Sequence, residues 1–225
     1  MARLPRIVVR NRAHLIRQRS EQDVTIFHDD HMCGKYLDIV ASQLGQYKVR
    51  VLAYCLMPKS VCMVLVPRRE EDLAKLLGQT HRQYSMHYKS KTGWDDGKLF
   101  KTRFESCPMD KTFVRAAISY VERIPVRAGV VDEAWDFRWS SAHYRVGPRE
   151  ADPILDPNPR ELVDVDDWKH MLVEDLDGVS DLAHRISTGK PCGERAFIRK
   201  LERDFGIPLM TYRVGRPRTY RKHLR

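Results

Sequence analysis

The chain has 225 residues, with 40 Lys and Arg against 30 Asp and Glu, giving a net charge of +10. A hydrophobic content of 42% can build a core and excludes wholesale disorder, and no apolar run approaches the length of a membrane span. Five scattered cysteines (33, 55, 62, 107 and 192) exclude a disulfide framework and a paired-Cys zinc motif, and the opening MARLPR lacks a secretory signal's apolar stretch, so a cytoplasmic protein away from membranes is expected.

In chain order, 6–10 and 14–17 read as one extended region with interleaved arginines. Residues 30–46 place Leu37, Val40, Ala41 and Leu44 at helical spacing. Segments 49–56 and 61–66 read as two strands of a hairpin-like pair joined through 57–60. The stretch 70–91 is predicted helical, with acids in its first turn and Leu73, Leu76, Leu77, Tyr84 and Tyr88 along one side. A glycine-containing loop leads to a predicted strand at 98–104, and 110–123 form a helix closed by Pro125. The order β-α-β-β-α-β-α implies an α+β fold: a ferredoxin-like antiparallel sheet with helices on one face. Residues 168–186 and 194–205 are predicted helices of a C-terminal extension, and 212–225 are a basic tail.

The charge is segregated along the chain. Between Glu150 and Asp181 stand eleven acids and two bases, whereas from Leu182 onward there are twelve bases and three acids. Two basic blocks flanking an acidic bridge suit a polyanionic partner, although a solubilising surface would look the same. Four prolines between 148 and 159 make 148–167 an acidic linker between a domain spanning 1–147 and an extension spanning 168–225.

Five strings in sequence order (IFHDD at 26–30, AYCLMP at 53–58, GKLFKTRFES at 97–106, SYVERIPVRAGVV at 119–131 and WSS at 139–141) resemble the REP-associated branch of the HUH single-tyrosine transposases. TGKPCG at 188–193 and GRPR at 215–218 resemble the C-terminal extension of longer members. The resemblance implies a ferredoxin-like βαββαβ core and a helix tyrosine that attacks a DNA phosphodiester, forming a 5′-phosphotyrosine. It also implies a divalent ion (Mg²⁺ or Mn²⁺ in active relatives) held by two histidines flanking a hydrophobic residue and by an Asn or Gln four residues after the tyrosine.

Tyr120 falls on the nucleophile position. Phe113, Ala117, Tyr120, Val121 and Ile124 also form one helical stripe, which equally describes a packing tyrosine. The ligand positions depart from the family pattern: they are Ser60, Cys62 and Ile124. A neutral hydroxyl, a soft thiol and an alkyl group make a poor Mg²⁺ site, so no metal or other cofactor is expected and cleavage is expected to be impaired. The expected partner is single-stranded or hairpin DNA. Arg10, Arg12, Arg17 and Arg19 on the first strand region are candidate contacts, together with Lys59, which could place a charge near a scissile phosphate. Arg103 and Arg127 match family arginines. In the tail, Arg216 and Arg218 flank a proline as in peptides that enter a narrow minor groove. The oligomeric state is left open, a homodimer being one option within the family.

Overall fold

The computed structural model describes residues 6–147, 151–157, 159, 167–173 and 179–210. Four strands, β1 (His14–Arg19), β2 (Val49–Met57), β3 (Ser60–Pro67) and β4 (Glu105–Pro108), form one antiparallel sheet in the order β2-β3-β1-β4. Helix α1 (Asp30–Leu44) connects β1 to β2, and α2 (Asp72–Thr92) connects β3 to β4. This is the split βαβ arrangement of a ferredoxin-like fold.

The first two helices follow from local chemistry. The Asp29 carboxylate caps α1 by accepting from the Met32 N–H at 2.7 Å, and Met32, Cys33, Tyr36, Leu37 and Val40 are its buried residues on the sheet-facing side. Gly93, at φ 69°, ends α2 in the left-handed conformation while its N–H bonds the Lys89 carbonyl at 2.9 Å. Both helices pack on the sheet face carrying Ile16, Val51, Tyr54, Leu56, Val61 and Met63.

The next helices correct the expectation that all would share one face. Helix α3 (Val114–Glu122) packs on the opposite face, over Leu15, Leu52, Cys55, Cys62 and Val64. Further helices are α4 (Ile124–Arg127), α5 (Ser141–Val146), α6 (Trp168–Val173), α7 (Val179–Thr188) and α8 (Arg195–Phe205). Met171 and Leu172 of α6 and Leu182 and Ile186 of α7 join the α3 side. The physical reason is that both faces of the central strands are apolar, so one layer of helices leaves half of that surface in water.

Three local differences also emerge. The extended region does not run unbroken from residue 6: Asn11 turns the chain at φ 56°, and β1 begins at His14. Residues 98–104 are not a strand; β4 follows them, while Leu99, Phe100 and Phe104 enter the core from a loop. The helix expected over 110–123 breaks at Arg123, and Pro125 lies in the first turn of α4, where its missing N–H costs no bond.

The two edges of the sheet are covered by segments that stood out in the sequence. On the outer side of β2, Trp139 supplies a carbonyl to the Leu56 N–H at 2.9 Å and the Ser141 Oγ accepts from the Tyr54 N–H at 3.0 Å. Asp156 donates its N–H to the Val51 carbonyl at 2.9 Å and pairs with Arg50 at 3.0 Å, so part of the acidic 148–167 stretch lies along this edge. On the other edge, Cys192 donates to the Pro108 carbonyl at 2.9 Å and accepts from the Asp110 N–H at 3.1 Å. Satisfying edge groups in this way also blocks pairing with other chains. Among the described residues no helix is long and apolar enough to cross a membrane.

Two imidazoles, buried His14 and half-buried His81, make the fold sensitive to acid. His14 accepts from the Val9 N–H at 3.0 Å and bonds the Arg12 carbonyl at 2.8 Å; burial lowers its pKa to about 4. Burial likewise lowers His81 to about 3, where it bonds the Tyr36 hydroxyl and stacks on Phe100. Both take up protons on unfolding below the ordinary value near 6.5, so stability contributed by the neutral forms is present above pH 6.5 and drains as pH falls toward 4 and 3. Urea midpoints are expected to be lower at pH 5 than at pH 7; equal midpoints would contradict the neutral assignment.

Candidate functional site

The face beneath α3 is built by register. Arg17 of β1 sits opposite Cys62 of β3 and opposite Glu105 of β4, and Arg19 sits opposite Ser60. With side chains alternating along a strand, Leu15, Arg17 and Arg19 share the α3 face with Cys62 and Ser60, while Val61 points to the other core. Helix α3 brings half-buried Tyr120 over this end of the sheet.

Three guanidiniums surround the tyrosine. Arg127 stacks its guanidinium 4.4 Å from the Tyr120 ring centroid and donates to the Tyr120 carbonyl, while Arg17 and Arg19 act on the phenol by their charges. Burial and the nearby Cys62 thiol nevertheless outweigh these cations, and the Tyr120 pKa lies above its ordinary value. At neutral pH the phenol is therefore protonated, which is not the state of an activated nucleophile.

Of the positions implied for metal ligands, Ser60 and Cys62 share the α3 face of β3, and their chemistry does not fit a divalent ion. Cys62 is 4% exposed and packed in the apolar cluster, and burial pushes its thiol up to about 12, so it is no thiolate at physiological pH. Ile124 packs against the same cluster, and the Arg17 guanidinium faces Cys62 across the strand pair. Among the described residues no group of three His, Cys, Asp or Glu side chains is placed to hold a metal ion.

The remaining sequence candidates divide by position. Arg103 lines a concavity of about 390 Å³ together with Arg17, Arg19, Glu21, Lys101, Thr102 and Glu105. Exposed Lys59 stands in the β2–β3 turn, at the Arg19 end of the sheet. Arg10 and Arg12 are exposed near the opposite end, where the intervening Asn11 donates to the Pro67 carbonyl at 2.7 Å; they are not brought to Tyr120. Arg216 and Arg218 lie outside the described residues.

Two components escaped the sequence reading. Glu105 pairs with the Arg17 Nε and lies 3.9 Å from Arg19, giving both arginines one counter-charge. Lys101 enters the concavity because its backbone N–H bonds the Arg19 carbonyl at 3.0 Å. Both belong to the GKLFKTRFES string, but reading 98–104 as a strand gave no reason to place them against β1.

No family model matches the sequence, and no curated protein matches it. Among solved structures, the chain resembles a REP-associated tyrosine transposase bound to a REP hairpin, with a TM-score of 0.55 at 12% identity over 69% of this chain and 92% of that one. A candidate transposase from Deinococcus radiodurans aligns with a TM-score of 0.36 at 21% identity, over 47% of this chain and 84% of that one. The TM-score of 0.55 and the coverage of nearly that whole first chain lead to one conclusion: this protein has the fold of a REP-associated tyrosine transposase.

Proposed function

We propose that the protein is a DNA-binding member of the REP-associated tyrosine transposase family, acting on single-stranded or hairpin DNA, with metal-dependent cleavage impaired. The observation that carries this reading is the arginine-rich surface around Tyr120 on a fold shared with a hairpin-bound transposase. Arginines supply what phosphate binding requires, a fixed charge with several donors, and need no metal to do so. A soft thiol, a neutral hydroxyl and an isoleucine make a poor site for the divalent ion that would act as Lewis acid in the implied reaction, a role worth several kcal/mol in such transition states. Each ~1.4 kcal/mol lost is about a factor of ten in rate. In this reading the protein works in the cytoplasm, and the tail carrying Arg216 and Arg218 adds a second DNA contact.

The competing reading is an active strand-transferase that forms a 5′-phosphotyrosine through Tyr120, favoured by that tyrosine's place among three arginines. Incubation with a REP-like hairpin and Mn²⁺ separates the two. The expected result is salt-dependent binding without a covalent adduct, the affinity falling by roughly 0.7–0.9 in log K per log salt for each phosphate engaged. An adduct that disappears in Tyr120→Phe would establish the active enzyme instead, and absence of hairpin binding at low salt would overturn both readings.

A further inference from the structure

The concavity beside Tyr120 is bordered by four cations, Arg17, Arg19, Lys101 and Arg103, and two carboxylates, Glu21 and Glu105. Its walls are fixed by hydrogen bonds, two between backbone groups and one from the Gln18 side chain. The Lys101 N–H bonds the Arg19 carbonyl, Gln18 donates to the Lys101 carbonyl at 2.8 Å, and the Glu21 N–H bonds the Leu99 carbonyl at 2.9 Å. The loop 98–104 is thereby strapped along β1 and β1's continuation. Arg17 is largely buried, with its charge answered by Glu105, while Arg19 is half-exposed and only distantly paired with the same carboxylate.

This arrangement is an ion pair with capacity to spare. Glu105 presents one negative charge to two guanidiniums that together can serve a phosphate's several oxygens. With four cations against two carboxylates, the concavity is net positive, which disfavours a divalent ion and favours a phosphate. We infer that the concavity is a metal-independent receptor for one phosphate group of bound DNA, in which Arg17 and Arg19 exchange Glu105 for the phosphate and Lys101 closes over it. The inference rests on the DNA-binding reading above and assigns the cation role there to Arg17 and Arg19 rather than to a metal.

The test uses the full chain and a REP-like hairpin in which neutral methylphosphonate linkages replace phosphates one position at a time, with and without EDTA. Wild-type affinity is expected to be unchanged by EDTA and to drop about tenfold at one linkage, the size of a charge-assisted contact. In Arg17→Gln/Arg19→Gln that linkage loses its effect, and overall affinity falls well beyond that of Arg68→Gln/Arg69→Gln, which removes equal charge at the far end of β3. Arg19→Gln alone, at a half-exposed side chain, gives the same direction of change should the double variant unfold. Equal losses in the two double variants, a flat methylphosphonate scan or abolition of binding by EDTA would overturn the receptor while leaving DNA binding intact. Failure of the wild type to bind the hairpin would instead remove the functional reading on which it rests.

Discussion

Glu122→Ala is expected to destabilise the protein by about 3–5 kcal/mol, the cost of removing one partner from a buried charge pair. Glu122 has no exposed surface and stands two residues beyond Tyr120 on α3. Its Oε1 accepts from the Ser141 hydroxyl and from the Arg145 Nε at 3.3 Å; its Oε2 accepts from the Trp168 indole at 2.8 Å. Arg145 stacks 4.2 Å from the Trp168 ring and donates to the Leu52 carbonyl, so one carboxylate ties α3, α5 and α6 to the bulged edge strand. Alanine leaves a largely buried guanidinium, an indole N–H and a hydroxyl with no common acceptor. Urea unfolding followed by tryptophan fluorescence measures the loss, and a change below about 1 kcal/mol, ordinary for a surface substitution, would show that the network is not holding the helices together.

The same group has a readable pH signature. Burial raises the Glu122 pKa above the usual carboxylate value, against the opposing pull of Arg145 and of the bonds from Ser141, Trp168 and Arg145. For a group whose folded value is raised, its contribution is fully present below the unfolded value and is lost as pH rises through the folded one. Glu122→Gln removes that decline while retaining an acceptor for Ser141. Stability of this variant relative to wild type therefore improves as pH increases from the ordinary carboxylate range, and a constant difference across that range would rule out the buried titration.

The residues that could be read from sequence are those whose periodicity is local. The β2–β3 hairpin and both connecting helices follow from alternation and from the stripe Leu73, Leu76, Leu77, Tyr84 and Tyr88, and they lie where expected. The segment 98–104 misleads because Phe100 and Phe104 bury themselves from a loop held by Gln18 and the Arg19 backbone, contacts more than 80 residues away in sequence. The face chosen by α3 was equally hidden, since an amphipathic helix does not say which side of an apolar sheet it will cover. Tyr120, Ser60, Cys62 and Ile124 were placed by resemblance; of these, Tyr120 and Ile124 pack against the α3-side cluster that contains Cys62. Glu122 could not have been singled out: one acid in a helix reads as a solvated charge until Arg145 and Trp168 arrive from 23 and 46 residues downstream.

Glu105→Gln should move stability and DNA affinity in opposite directions. The carboxylate is directly across β4–β1 from Arg17 and is the counter-charge of the Arg17–Arg19 pair, with both it and Arg17 mostly shielded from water. Its bond and charge more than offset the burial that disfavours the Arg17 cation, holding that guanidinium more firmly protonated than usual. Glutamine preserves an acceptor but removes the charge, so the folded state loses about 1.5–3 kcal/mol, the worth of a hydrogen bond to a charged group. If Glu105 occupies the place a phosphate must take, that same energy no longer opposes binding. Affinity for the hairpin then rises by about tenfold or more at low salt, since each ~1.4 kcal/mol is a factor of ten. The slope of log K against log salt steepens by about 1, the mark of one further cation available to phosphate. A variant that is both less stable and weaker in binding would mean that Glu105 orients Arg17 for DNA rather than competing with it. The two roles make the same contact in the free protein, and only the sign of the affinity change distinguishes a carboxylate that must leave from one that must stay.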